Sequence, residues 1–190
     1  MPATTQSEVT TMRRIVVSEF VSLDGVMEDP GGAEKFEFGG WTMPYWNDDL
    51  ARFKAEELFA SDALLLGRVT YQAFAAAWPA MTDEMGFADR MNSNRKYVVS
   101  STLNTTDEWK NSSLIKGDLV DAVTKLKQEP GQDILVGGSA TLVQALMRHE
   151  LVDELRLAVY PLVLGTGKRL WGDGGHTPWS SCTSNRRAPA

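Results

Sequence analysis

The sequence predicts an α/β fold built on a largely parallel sheet, and three observations carry the prediction. Short apolar runs of strand length alternate with segments of helical apolar spacing along the chain, the order that gives a sheet covered on both faces. The runs at residues 63–66 (ALLL) and 134–136 (ILV) are continuously apolar, as buried strands are. Residues 133–169 read as a complete unit of strand, Gly-Gly turn, helix and long second strand.

The first strand is expected at 14–21 (RIVVSEFV), ended by the turn Ser22-Leu23-Asp24-Gly25. Residues 28–40, rich in glycine and holding Pro30, form a loop placed to cover a site. A helix follows over 46–60, with Leu50, Phe53, Glu57 and Leu58 at compatible spacings. The second strand, 63–66, closes at Gly67-Arg68, and a short helix over 70–77 stops at Trp78-Pro79. Another helix is expected over 83–92, a third strand over 97–100 (YVVS), and a short fourth at Leu114 and Ile115. The helix over 118–128 has Gly117 or Asp118 near its cap and Pro130-Gly131 beyond its end. After the strand 134–136 come Gly137 and Gly138, and Ser139 opens a helix with Leu142, Val143, Leu146 and Met147 on one face. Leu155, Leu157 and Val159 then alternate with Arg156, Ala158 and Tyr160, the period of a strand. There is no internal repeat and no linker.

With 190 residues, 43% of them hydrophobic and 23% charged, the chain suits one soluble domain with a substantial core. The formal charge of -6 argues against nucleic acid as the main partner. A single cysteine, Cys182, and two histidines, His149 and His176, leave no Cys- or His-rich metal site to expect. No apolar run spans a membrane, and the polar first twelve residues lack the core of a signal peptide; a cytoplasmic protein is expected. The organisation expected is a disordered leader over 1–12, one domain over 13–175 and an atypical tail over 176–190.

Three strand ends carry residues suited to phosphate. Gly67-Arg68-Val69-Thr70 offers a planar cation and a hydroxyl that can cap the helix or donate to an oxygen. Ser100, Ser101 and Thr102 offer adjacent hydroxyls for a ribose or 2′-phosphate. Gly137, Gly138, Ser139 and Ala140 let a ligand approach the backbone at a helix start with free N–H groups. Each has a plainer reading: a surface ion pair for Arg68, a polar turn for the hydroxyls and a tight strand-to-helix turn for the glycines.

The ordered set SLDG, LLLGRVTYQAF with Trp78-Pro79, KYVVSSTL, ILVGGSATL and LVDELRLAVYPLVLGTG resembles the dihydrofolate reductase superfamily over residues 13–173. It is most similar to the branch of the reductase (C-terminal) domain of bifunctional riboflavin-biosynthesis deaminase/reductases. The resemblance implies a central mixed, mostly parallel sheet with flanking helices and NADPH lying across its strand ends. It implies that Gly67, Arg68 and Thr70 hold adenosine-side phosphates, that Ser100 and Ser101 lie near the 2′-phosphate, and that residues Gly137 to Ala140 present N–H groups to the pyrophosphate. Ser22 and Asp24 would border the nicotinamide and substrate, and Leu164, Gly165, Thr166 and Gly167 would form a turn beside the site. The proton that accompanies a hydride needs an acid: Asp49, in a helix similar to the acid-bearing first helix of folate-reducing members, or Asp24 as its rival. The plain readings are a helix N-terminus favoured by Asp48 and Asp49, and an ordinary turn Asp beside Gly25. Trp41, Trp46 and Trp78 are candidates for a flat aromatic pocket or for core, and Lys168 and Arg169 for a substrate phosphate.

The function these features imply is an NADPH-dependent reductase of a small pterin- or pyrimidine-like heteroaromatic. The alternative is a nucleotide-binding module of the same fold without turnover. A small-molecule substrate and a homodimer are implied, with no membrane partner. After Asp173 the resemblance leads one to expect closing strands, and the chain instead reads GGHTPWSSCTSNRRAPA, which lacks strand periodicity. The expected result is a sheet without its usual C-terminal strands, with residues 177–190 poorly ordered, free of site residues and leaving Cys182 exposed. A frameshifted reading of this stretch, HAVELVHVEQTGTG, would carry the missing strand-turn pattern.

Overall fold

The computed structural model of the protein describes residues 12–172. The leader apart from Met12, and the expectations for the tail, including His176 and Cys182, lie outside the described residues. Among the described residues, six strands form one sheet: β1 (Ile15–Ser22), β2 (Ser61–Gly67), β3 (Arg95–Val99), β4 (Ser112–Ile115), β5 (Asp133–Val136) and β6 (Glu154–Tyr160). The described residues also form five α-helices that cover it: α1 (Asp48–Phe59), α2 (Arg68–Ala77), α3 (Phe87–Ser93), α4 (Leu119–Gln128) and α5 (Ala140–Arg148). The strand order is β4-β3-β2-β5-β1-β6. Every described ladder is parallel, and the antiparallel element is an isolated bridge between Val26 and Arg169.

The continuous apolar runs exist because both sheet faces are covered. On one face Ile15, Val17, Leu65, Ile134 and Val136 pack under Val123 and Leu126 of α4 and Leu142, Val143 and Leu146 of α5. On the other, Leu64, Leu66 and Val98 meet Leu58 of α1, Tyr71 and Ala75 of α2, and Met91 of α3. Helix starts follow local chemistry. Asn47 caps α1 by accepting from the Leu50 N–H at 3.0 Å, and Asp118 caps α4 by accepting from Asp121. Asp83 lies in the loop before α3 rather than within the helix, accepting from the Phe87 and Ala88 N–H groups, so this helix is shorter than its sequence pattern suggests.

The expected loop over 28–40 is tied down from within. Asp29 is buried and accepts from the Glu34 and Phe36 N–H groups, and Trp41 donates to the Glu28 carbonyl. β6 is the last described strand and pairs with β1 on one side. Near it Leu23, Val159, Val163 and Trp171 are exposed.

Candidate functional site

Parallel strands all end on the same side, so their C-terminal ends and the helix starts that follow them meet at one edge of the sheet. There the ends of β2, β3 and β4 and the starts of α2, α4 and α5 enclose a cavity of about 480 Å³. Gly67, Arg68, Ser100, Ser101, Thr102, Gly117 and Ser139 line it. Neither α2, capped by Gly67, nor α5, capped by Ser139, has a side-chain cap, so both leave first-turn N–H groups toward the cavity. Arg68 is exposed, and its guanidinium donates to Gln72 one turn along α2 at 3.1 Å. That contact is between neighbours on one helix face and leaves most donors of the fork toward solvent.

The serines divide. Ser100 is buried, and its Oγ accepts from the Thr102 and Leu103 N–H groups at 3.1 and 3.0 Å, so it builds the turn. Ser101 and Thr102 are exposed on that turn. Thr70 stands inside the first turn of α2, buried against Gly138, where a Cβ built on Gly138 would meet its Oγ1 at 2.8 Å. Gly138 also has φ +104°, and its carbonyl accepts from the Gly67 N–H at 3.1 Å. A Cβ on Gly67 would run into Ser139. Close packing between the two strand-to-helix turns therefore dictates Gly67 and Gly138, and Ala140 is buried beneath them. Gly137 differs: it has nothing within 4 Å of a built Cβ, and it lines neither cavity itself.

A second cavity, about 350 Å³, lies at the ends of β1 and β6 and is lined by Ser22, Asp24, Gly25, Leu157, Val159 and Trp171 among others. Its acid is fully engaged. Asp24 accepts from Ser22 Oγ at 2.7 Å, from the Leu164 N–H at 3.1 Å and from the Gly165 N–H at 2.9 Å, with Arg169 at 3.5 Å. The Ser22 hydroxyl, then the two backbone donors, hold the Asp24 carboxyl far below the usual range despite its partial burial. Asp24 thus pins the turn of Leu164, Gly165, Thr166 and Gly167 to the end of β1. Lys168 pairs with Glu28, and Arg169 donates to the Asp24 carbonyl, so both cations are engaged within the protein.

Asp49 lies in the first turn of α1 with its side chain 55% exposed and an ion pair to Arg52 at 3.1 Å. It lines neither cavity. Trp41 is buried edge-on to Tyr160, Trp46 is half exposed beside Phe20, and Trp78 packs with Phe74 and Phe87. Sequence reasoning missed two residues. Gly117 lines the first cavity with φ +99°, signalled by its place just before a helix. Glu19 is buried in the middle of β1, signalled by a lone acid inside an apolar run.

Comparison with known proteins agrees with this architecture. Residues 13–187 match the RibD C-terminal domain family. The chain is 32% identical over 164 residues to the uncharacterized protein YyaP of Bacillus subtilis, covering 85% of this chain and 81% of that one. It is 27% identical over 157 residues to YwjB of the same organism, covering 82% and 80%. Among solved structures, a protein from Shewanella sp. PV-4 assigned to riboflavin biosynthesis superposes with TM-score 0.64 at 22% identity, covering 86% of each chain. Dihydrofolate reductase from Enterococcus faecalis, complexed with NADP(H) and RAB-propyl, gives 0.53 at 13% identity, covering 84% of this chain and 77% of that one. Schistosoma mansoni dihydrofolate reductase gives 0.53 at 16%, covering 83% and 80%. The chain belongs to the RibD C-terminal domain family and has the dihydrofolate reductase-like fold.

Proposed function

We propose that this RibD C-terminal domain protein is an NADPH-dependent reductase of a small pterin- or pyrimidine-like heteroaromatic, working as one domain over residues 13–175. The observation that carries the reading is the convergence of two uncapped helix starts and Arg68 on one cavity at the strand ends. Such a site suits a ligand with several phosphates in an otherwise acidic protein, because the N–H groups and one planar cation supply the positive potential locally. The open face of Gly137 fits the same group, since a pyrophosphate can pack against it. NADPH, when bound, supplies the hydride.

In this reading Arg68 and the first turns of α2 and α5 bind phosphates, and Ser101 and Thr102 serve the ribose side. Ser22 and Asp24 border the reacting rings by fixing the Leu164 to Gly167 turn. Asp49 is the candidate acid on α1. The chain is soluble, cytoplasmic and homodimeric in this reading, with no nucleic acid or membrane partner. Titration with NADPH and NADH, followed by NADPH oxidation assays across pterins and pyrimidines, tests it. The expected result is preferential NADPH binding and turnover with at least one heteroaromatic; failure to bind NADPH would end it.

A specific observation favours a second reading, a nucleotide-binding module without turnover. Asp24 is committed to four partners, and Asp49 lines neither cavity. Tight NADPH binding with no oxidation by any candidate substrate would select it.

A further inference from the structure

Glu19 is the one acid in the β1 sequence IVVSEFVS, and the residue is 8% exposed. By strand alternation it shares a face with the core residues Ile15, Val17 and Val21. β5 pairs with β1 only as far as Val17 and Val136. The chain then passes into the Gly137-Gly138 turn, whose Gly138 N–H faces the Glu19 carboxyl. Glu19 Oε1 has no hydrogen-bond partner. From β6 the register neighbour is the apolar Leu157. Two charged groups of α1 act on it, Lys54 favouring the carboxylate and Glu57 opposing it. Arg156 of β6 lies on the opposite face, paired with Glu154 and 3.9 Å from Glu57. Burial outweighs these influences and pushes the Glu19 carboxyl up to about 8.

A buried orphan oxygen next to a turn whose Ser139 lines a cavity is an expensive arrangement unless the group is neutral. We propose that Glu19 is a positioning residue for the turn formed by Gly137, Gly138 and Ser139: its neutral carboxyl group keeps the turn in its anion-accepting form, and loss of its proton weakens binding of a phosphate-bearing ligand in the adjoining cavity. A carboxylate there places a negative charge in a poorly screened region beside the N–H groups the anion uses, and competes for the Gly138 N–H. By reciprocity, a bound anion holds the proton on Glu19 more tightly. The inference rests on the reading that a phosphate-bearing cofactor occupies that cavity.

The test compares wild type and Glu19→Gln, whose side chain is isosteric and permanently neutral, by calorimetric NADPH titration from about pH 6 to pH 9.5. The two proteins are expected to bind equally at the acidic end. Above about pH 8 wild-type affinity should fall toward tenfold per pH unit relative to the variant, in which this component is absent. Comparing the two curves cancels the cofactor's own titration. Parallel curves overturn the proposal, as does a variant that folds but binds weakly at the acidic end. Carboxyl-carbon NMR titration of Glu19 in wild type, with and without NADPH, needs no variant: the titration should move upward with ligand, and an unmoved one overturns the proposal. If NADPH binds at no pH, the functional reading fails and takes the proposal with it. Normal binding with no difference between the curves removes the Glu19 role alone.

Discussion

The two cavities at the C-terminal edge of the sheet are made from similar residues and use them in opposite ways. At the ends of β1 and β6, Ser22, Asp24, Glu28, Lys168 and Arg169 bond to one another and to the backbone of the Leu164 to Gly167 turn. At the ends of β2 and β3, Arg68 has Gln72 as a partner, Ser101 and Thr102 are exposed, and two helix starts lack side-chain caps. The first region is organised by its own hydrogen bonds, and removing one of its groups should cost stability. The second leaves its polar groups outward, and removing one should cost ligand affinity while stability hardly changes. Similar polar residue types at two strand ends are therefore spent differently, inward on the fold in one region and toward solvent in the other.

The largest effect that would sharpen this contrast is Asp24→Ala. It strands the Ser22 hydroxyl and the Leu164 and Gly165 N–H groups, and should cost about 3 kcal/mol in urea unfolding. The contribution also has a pH signature. Asp24 is held below its ordinary value in the folded state, so its stabilisation is complete above the unfolded value near 3.9 and shrinks as pH falls below it. Unfolding midpoints of wild type and variant should converge on acidification; curves that stay parallel down to about pH 2.5 would remove this role from Asp24.

Arg68→Ala is the converse experiment. Its ionic donors are predicted to contribute about 1–3 kcal/mol to NADPH affinity, with the unfolding midpoint within about 0.5 kcal/mol of wild type. Unchanged affinity in direct titration would break the comparison at its open end.

Gly137→Ala separates the two glycines. Gly137 has open space where Gly138 has positive φ and Thr70, so the alanine should fold normally and weaken NADPH roughly tenfold, about 1.4 kcal/mol. Gly138→Ala should instead lose stability, about 1–3 kcal/mol, from its backbone conformation. If both variants behave alike, Gly137 does not face a ligand.

The smallest effect is Asp49→Asn. As a first-turn acid with an exposed ion pair, Asp49 should contribute only about 0.5 kcal/mol to stability. Turnover that falls and shifts its pH profile while stability holds would support Asp49 as the acid; unchanged turnover would reduce it to helix electrostatics.

The sequence by itself determined the order of elements and the family. Apolar runs such as ILV at Ile134 to Val136 must be buried on both faces, and helices between parallel strands are what provides two covers. It also determined which residues stand at strand ends, because Gly67, Ser100 and Gly137 each follow an apolar run directly. Tertiary structure alone decided what those residues do. Gly67 and Gly138 follow from close approach to Ser139 and Thr70, neighbours distant in sequence. Asp24 became a fastener because a turn 140 residues away delivers two N–H groups to its carboxylate. The Glu19 carboxyl is pushed upward because burial opposes its charge, and β5 ends beside it with one carboxyl oxygen left without a hydrogen-bond partner. Local pattern records which groups are apolar and where the chain turns. The partner of a polar group is set by long-range packing, and that partner decides whether the group is spent on the fold or left for a ligand.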